Sequence, residues 1–427
     1  VPGIVQNYIV APKEFEKEKK YINYNIKNTR QSFGLSQMRD EQFPAENKLT
    51  QKEIRENKIT IDNIRLWNQG PLKQTFSQLQ EIRLYYEFNE VDVDRYKINN
   101  NLTQVMLSPR EMNSSQLTQQ AQTWINTHLV YTHGYGVCMS PVSQISKEGL
   151  PKFFIKDIPP KSSVDLKVER PEIYFGEKPS DYIIVHTNQK EFDYPKGDQN
   201  VYTKYKGAGG IKLNSLLKKA IFSLKYSDIK ILISSLINSK SKIMFDRDIK
   251  TIVKKLTPFI IFDRDPYLII SKTGRLVWML DGYTLSDKYP YAEPFMSKIN
   301  YIRNSVKVTI DAYDGKVNYY LMNNQDPIIK TYASFYPDIF QTFDKMPMDI
   351  KEHLRYPKDL FTIQATMYST YHMVDPQVFY NREDLWAIPK EQYEESEQVM
   401  EAYYMVTRLP GEKKESFILM LPFTPTN

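Results

Sequence analysis

The sequence predicts an α+β fold, with mixed helices and antiparallel hairpins in two or more packed subdomains. Three observations carry the prediction. Helical and strand patterns come in blocks and do not alternate as βαβ units. Two stretches, "YLIISKTGRLVWML" and "SVKVTIDAYDGKVNYYLM", read as β-hairpins turning at Thr273-Gly274 and Asp314-Gly315. The chain, at 427 residues, is too long for one small core.

Taken in order, residues 1 to about 60 are rich in Lys and Glu. "PKEFEKEKKYINYNIKNTRQSFGL" sets Phe15, Tyr21, Tyr24 and Ile26 among charges and predicts a solvated helix laid on a body. "PLKQTFSQLQEIRLYYEF" places Leu72, Phe76, Leu79 and Ile82 at helical spacing, with Pro71 at a tolerated first-turn position. Residues 90–205 read as loop-rich with short strands, "SDYIIVHTNQKEFDYP" being the clearest, and Pro159-Pro160 marks an irregular crossing.

The texture changes at Lys206, so the chain divides into an N-terminal loop-rich α+β part, 1–205, and a second part, 206–427. In the second part Leu213, Leu216, Leu217, Ala220, Ile221 and Leu224 share one helical face. Asp228 caps a following run of Ile229, Leu232, Ile233, Leu236 and Ile237. A third helix, through Ile249, Ile252, Val253 and Leu256, stops before Pro258. In the second hairpin Val306, Val308 and Ile310 alternate opposite Val317, Tyr319 and Leu321. Residues 327–372 return to helix, with Leu360, Phe361, Gln364, Met367, Tyr368 and Tyr371 on one face, and the C-terminal stretch reads as an acidic segment followed by a strand.

Composition narrows the function classes. Hydrophobic residues at 41% and charged residues at 25% suit a folded, water-exposed protein. Tyrosine is abundant, with 31 Tyr beside 21 Phe, and its apolar ring with a polar tip favours half-buried sites and wet binding surfaces. The net charge of +6 is spread along the chain without a basic arm, which argues against nucleic acid. One cysteine excludes an internal disulfide. No apolar run approaches the roughly 18–20 residues that span a bilayer. The chain opens on "VPGIVQNYIV", without Met or a signal peptide, and stops at "LPFTPTN"; it reads as a piece of a longer protein.

Two features are candidates for chemistry. The first is "TWINTHLVYTHGYGVCMSP", with His128, His133 and Cys138. Histidines five apart sit about 140° apart on a helix and on opposite faces of a strand, so a metal site would need a bend and distant ligands. No H-E-x-x-H or C-x-x-C accompanies them, the setting of Cys138 is apolar, and the glycines of "HGYG" suit a tight turn with close backbone approach. The second feature is a set of Asp-x-Asp pairs: Asp92/Asp94, Asp246/Asp248 and Asp263/Asp265. On a strand, residues i and i+2 share a face, so two carboxylates would meet a hard divalent cation such as Ca²⁺, Mg²⁺ or Mn²⁺. Against this, Asp248 suits a helix cap, Asp265-Pro266 suits a turn, and Arg95, Arg247 and Arg264 stand ready as ion-pair partners. Asp92, Asp94, Asp263, Asp265, His128 and His133 are therefore the candidate metal ligands, and no catalytic residue is assigned. "KGAGGIKLNS" lacks the order of a phosphate loop and reads as a loop into a helix.

Several long stretches, among them "NIRLWNQGPLKQTFSQLQEIRLYYEFNEVDVDRY", "TWINTHLVYTHGYG", "GLPKFFIKDIPP", "PEIYFGE", "EFDYPKGDQNVYTKYKGAGGI", "NYIRNSVKVTIDAYDG", "HLRYPKDLF" and "QVFYNREDLWAIP", run in an order that resembles the uncharacterised protein family 0182, large bacterial membrane proteins. The resemblance spans nearly the whole chain and brings no catalytic residue with it. It implies membrane helices upstream of Val1, further sequence beyond Asn427, and an extracytoplasmic location for this portion at the cell membrane. The leading expectation is a binding or interaction module at the cell envelope. Its partners would be the protein's own membrane helices and an envelope polymer, a lipid or another envelope protein, with no nucleic acid. The alternatives are a metal-assisted hydrolase or transferase using the Asp-x-Asp carboxylates, with a divalent cation as cofactor, and the soluble part of a transporter-like assembly.

Overall fold

A computed structural model describes the chain apart from residues 1–7, 9–10, 43–49, 179–180, 198, 323–324, 394–395, 410–411, 413 and 427. Most of the opening "VPGIVQNYIV" and part of the acidic C-terminal stretch lie outside the described residues.

Two six-stranded sheets organise the fold. In the first, Asn101–Met112 is central and pairs antiparallel with Tyr86–Phe88, Asp92–Ile98 and Val137–Pro141; Ile155–Lys156 and Lys161–Ser162 continue the sheet. In the second, Leu276–Ser286 and Tyr301–Asp311 are central; Ile261–Phe262 and Tyr267–Ile270 flank the former, and Val317–Leu321 flanks the latter. Phe340–Thr342 adds the one parallel pairing in this sheet.

The alternation of side chains explains how the sheets meet. Val105, Leu107, Val137 and Met139 point from the first sheet, and Leu268, Ile270, Leu276, Trp278, Leu280, Val306, Val308 and Ile310 from the second, into one continuous hydrophobic cluster. Trp278 is fully buried there, and its indole N–H donates to the Phe175 carbonyl at 2.9 Å. Residues from 1–205 and from 206–427 thus build the same core. The outer faces are covered too. Leu72 and Phe76 of the helix Gln69–Gln80 pack with Val93, Met106, Cys138 and Tyr404. Met346 and Ile350 pack with Tyr267, Ile269, Met279 and Tyr320. The helices Glu14–Ser32 and Lys358–Tyr371 close one end of the second sheet, where Phe33, Leu35, Tyr283, Ile302, Leu360, Met367 and Tyr371 cluster.

Much of the local reading matches this mixed α+β architecture. Both hairpins form, and the second has the expected register: Ile310 opposite Val317, Val308 opposite Tyr319, Val306 opposite Leu321. The helix Ile249–Leu256 starts at Asp248, whose carboxylate accepts the Thr251 N–H at 2.6 Å. Several details differ, among them the strand Phe340–Thr342 inside the stretch 327–372 that reads as helix. The helix from Gln69 stops at Gln80, leaving Leu79 and Ile82 exposed, because Ile82 takes a positive φ and Tyr86–Phe88 swings into the sheet. The stretch 90–205 contains a twelve-residue strand, Asn101–Met112, which is buried on both faces and so lacks the polar alternation that announces a strand. The acidic C-terminal residues form a hairpin, Lys390–Tyr393 with Ser396–Val399, before a second one, Tyr403–Thr407 with Ser416–Met420. The shared face of Leu216, Leu217, Ile221 and Leu224 is exposed on the helix Leu216–Tyr226, while Phe222 and Ser223 of the other face are buried, and the run after Asp228 is helical only over Lys230–Ile233.

Candidate functional site

Asp92 and Asp265, from two of the Asp-x-Asp pairs, neighbour one buried cation, Arg355, at a junction between the sheets. The pleat of the strand Asp92–Ile98 turns Asp92 and Asp94 to one side. Asp92 Oδ2 accepts the Leu268 N–H of the second sheet at 2.8 Å, and Asp94 Oδ2 meets His353 Nδ1 at 2.6 Å. The Arg95 guanidinium reaches Asp94 at 3.3 Å and the Leu354 carbonyl at 2.6 Å. Asp265 Oδ2 lies 2.8 Å from Arg355 and 3.4 Å from Lys358. Arg355 also donates to the Val93 carbonyl at 3.1 Å, so one buried guanidinium joins both sheets. Its plane lies over Tyr267 at 3.8 Å and Tyr404 at 4.9 Å. Asp263 accepts the N–H groups of Asp265 at 2.9 Å and Asp359 at 3.1 Å, together with the Tyr283 hydroxyl. Lys307, also buried, pairs with Asp281.

The electrostatics follow from burial and pairing. Burial pushes the Asp92 carboxyl well above the usual range, and burial raises Asp263 to about 6. Asp265 goes the other way: burial acts to raise it, but the positive charges of Arg355 and Lys358 prevail and hold it low. Burial lowers the Lys307 ammonium, with Asp281 opposing. These acids face cations, hydroxyls and backbone N–H groups inside the protein. Among the described residues, no group of three or more His, Cys, Asp or Glu side chains is arranged to hold a metal ion. The remaining pair separates: Asp246 pairs with Lys255 at 2.6 Å while Asp248 caps its helix.

The histidines of "TWINTHLVYTHGYG" have other partners. His128 lies between the Trp124 and Tyr182 rings, at 5.7 and 4.4 Å, and burial lowers its pKa. Its Nδ1 bonds with Thr127 Oγ1 at 2.8 Å. His133 is fully buried, bonds with Thr132 Oγ1 at 2.9 Å and Asp193 at 3.3 Å, and packs on Tyr174. The histidine that joins an Asp-x-Asp pair is His353. Cys138 is buried, burial raises its thiol to about 11, and Arg110 donates to its sulfur at 3.3 Å. Gly134 answers a close approach, since a Cβ there would lie 2.4 Å from the Arg110 carbonyl oxygen.

An open aromatic groove lies elsewhere. Tyr368 and His372 are one turn apart at the end of the helix Lys358–Tyr371, so both face the same way. The short pairing of Trp386–Ala387 with Thr424–Pro425 brings Trp386 beside Phe423. The His372 imidazole stacks on the Trp386 indole, with centroids 3.7 Å apart and planes at 15°. Tyr368 stands edge-on to Trp386 at 6.0 Å. Asp384 holds the assembly, accepting from Trp386 Nε1 at 2.9 Å and lying 3.4 Å from His372 Nε2. Tyr368 donates to Asp40 at 2.5 Å, and burial together with that bond raises its phenol to about 12. The cavity of about 640 Å³ is lined by Tyr368, His372 and Trp386 with Met38, Arg39, Asp40 and Glu41. Apolar ring faces edged by charged hydrogen-bonding groups suit a ligand with an apolar face and hydroxyl edges. His372 and Trp386 were not singled out from the sequence; the one signal was the place of Trp386 inside the family-like stretch "QVFYNREDLWAIP".

The model of the uncharacterised protein family UPF0182 matches residues 1–427. The chain belongs to UPF0182. Curated relatives with the same printed description, "UPF0182 protein", include those of Desulforamulus reducens, 52% identical over 427 residues, and Pelotomaculum thermopropionicum, 50% identical over 426. Each alignment takes in 100% of this chain and 46% of the relative. The relative in Methanospirillum hungatei is 49% identical, over 99% of this chain and 48% of its own length. The chain thus spans about half the length of the UPF0182 relatives it matches. No solved structure matches it. Among the described residues, no helix is long and apolar enough to cross a membrane.

Proposed function

We propose that this UPF0182 chain is a non-catalytic binding module at the cell envelope, the extracytoplasmic portion of a longer membrane protein, and that it receives a carbohydrate in the groove of Tyr368, His372 and Trp386. The open aromatic groove is the observation that carries this reading. A pyranose presents an apolar C–H face that stacks on aromatic rings and hydroxyls that charged side chains bind in the plane of the sugar. Trp386, braced by His372 and Asp384, is a preorganised platform for such a face, and Asp40, Glu41 and Arg39 supply the polar edge. The length of the relatives outside the chain leaves room for membrane segments. A metal-assisted reaction at Asp92, Asp94, Asp263 and Asp265 draws no support from carboxylates already engaged by Arg355, Lys358, His353 and backbone N–H groups.

The test is calorimetric titration of the chain with cell-envelope oligosaccharides, β-linked N-acetylglucosamine oligomers among them. Binding should occur in the wild type and weaken at least about tenfold in Trp386→Ala, as expected when an anchoring aromatic is lost. Absence of binding across the panel, or equal binding by the variant, would refute the reading.

A further inference from the structure

The helix Leu216–Tyr226 turns its apolar face outward. Leu216, Leu217 and Leu224 are 77%, 71% and 81% exposed. Ile221 on the same face is 52% exposed, and Ile229 and Ile233, at 57% and 69%, extend the apolar surface around the adjoining turn Lys230–Ile233. Phe222 is the anchor, buried with Leu213, Ile231 and Ile237 in a separate small core. Beside Ile233 a recess of about 310 Å³ is lined by Trp124, Ile125 and Lys230. Single exposed leucines are ordinary, but six large aliphatic side chains on two neighbouring elements are an unpartnered surface.

The charge along this stretch of the chain is one-sided, with Asp181 and Asp246 the acids brought near Tyr226 from other segments. Residues 211–240 contain six lysines, Lys212, Lys218, Lys219, Lys225, Lys230 and Lys240, and one acid, Asp228. That acid is occupied, accepting from the Tyr182 hydroxyl at 2.5 Å and the Lys230 N–H at 3.0 Å. Lys218 and Lys225 are exposed at the margin of the apolar face on the helical wheel; the Lys218 ammonium bonds the Asn214 side chain at 3.0 Å and the Lys225 ammonium lies over the Phe245 ring at 3.9 Å.

We propose that this face docks in the headgroup region of an anionic lipid bilayer, with the leucines and isoleucines entering the acyl boundary and the lysines meeting lipid phosphates. Charge complementarity selects this occupant. A hydrophobic segment from the rest of the protein would match the leucines and leave the lysines unused. A second copy of the chain would set lysines against lysines. A short amphipathic helix with a basic margin binds in the plane of the interface, through apolar burial and attraction to anionic headgroups together. The proposal stands on residues 211–240 and 125, apart from the aromatic groove, so vesicle binding and sugar binding are read separately.

The experiment is flotation of the 427-residue chain with vesicles of phosphatidylcholine alone and with vesicles half phosphatidylglycerol. The chain should partition onto the anionic vesicles at least about tenfold more strongly, and added salt should weaken that binding. Leu217→Glu with Leu224→Glu should lose binding at least about tenfold while melting as the wild type does, because both positions are exposed. Lys218→Glu with Lys230→Glu should remove the preference for phosphatidylglycerol. Failure of the wild type to bind anionic vesicles, or undiminished binding by the leucine variant, overturns the proposal. So does a wild-type dimer in sedimentation that the leucine variant dissociates, with no vesicle binding, since that would assign the face to a second copy.

Discussion

The Arg355 junction makes the sharpest prediction. Replacing Arg355 by Met keeps most of the side-chain volume between Tyr267 and Tyr404 and removes the charge. The change deletes the 2.8 Å pair with Asp265 Oδ2 and the bonds to the Val93 and Asp265 carbonyls at 3.1 and 3.2 Å. It also leaves Asp265 with Lys358, at 3.4 Å, as its remaining cation. Removing one partner of a buried, hydrogen-bonded ion pair costs about 3–5 kcal/mol, mostly from the charge left behind. The cation–π contacts add a smaller loss, about 0.5–1 kcal/mol or more when desolvated. Lys358 offsets part of this, so the expected destabilisation is about 4 kcal/mol, a large share of the roughly 5–15 kcal/mol that holds a domain folded.

The assay is urea unfolding at neutral pH, followed by far-ultraviolet circular dichroism and by tryptophan fluorescence, with Trp278 reporting the shared core. Both probes should trace one transition in the wild type, because the two sheets bury one another's faces. Arg355→Met should shift that transition to lower urea. Adding Asp265→Asn in the Arg355→Met background should recover about 2 kcal/mol, because the orphaned charge goes with its partner. A loss below about 1 kcal/mol, or simple additivity of the two changes, would show that the junction does not join the sheets as argued.

Further outcomes can be checked on the same protein. Asp263 is raised to about 6, so the folded state holds its proton while the unfolded chain, near 3.8, has released it. Its contribution to stability is therefore full below about pH 4 and is lost as pH rises through about 6, a change on the order of 3 kcal/mol. Unfolding of wild type minus Asp263→Asn across that range measures it, and a flat difference would contradict the assignment. Gly315→Ala should cost about 2 kcal/mol or more in the same titration, since φ is +67° and the new Cβ would lie 2.4 Å from the Phe175 ring. Cys138 should resist an aromatic disulfide reagent until the chain unfolds, because its thiol is buried and raised to about 11; rapid native labelling would mean that the outer face of the first sheet opens.

The sequence was most legible where one local rule decides one geometry. Asp314-Gly315 closes a four-residue loop in which the Gly315 N–H donates to the Asp311 carbonyl at 2.8 Å, and the loop with its alternating flanks accompanies the register from Val306 to Leu321. Asp248 and Pro258 bracket a helix for equally local reasons. The hidden parts depend on partners far along the chain. The pleat foretold that Asp92 and Asp94 share a face, but not that Leu268 and His353 would meet them, contacts that span 176 and 259 residues. The groove combines Asp40, His372 and Trp386, and no spacing rule links those three. Likewise, the periodicity of Leu216 to Leu224 correctly reported an amphipathic helix; it carries no information on which face the rest of the molecule covers.

That last difference explains how the molecule divides its labour. Its buried charged groups are ion-paired or hydrogen-bonded, as Arg355 is to Asp265 and Arg110 and Arg247 are to backbone carbonyls, so the polar groups at the centre are largely spent. The apolar side chains left over lie at the margin, six aliphatic groups around Leu216–Ile233. Leaving such side chains in water gives up roughly 1.5–3 kcal/mol of burial apiece. A fold that hides Trp278 and even Lys307 completely has the means to bury a leucine. Exposing Leu216, Leu217 and Leu224 side by side makes sense when another surface completes them, and the lysines beside them specify that surface as anionic.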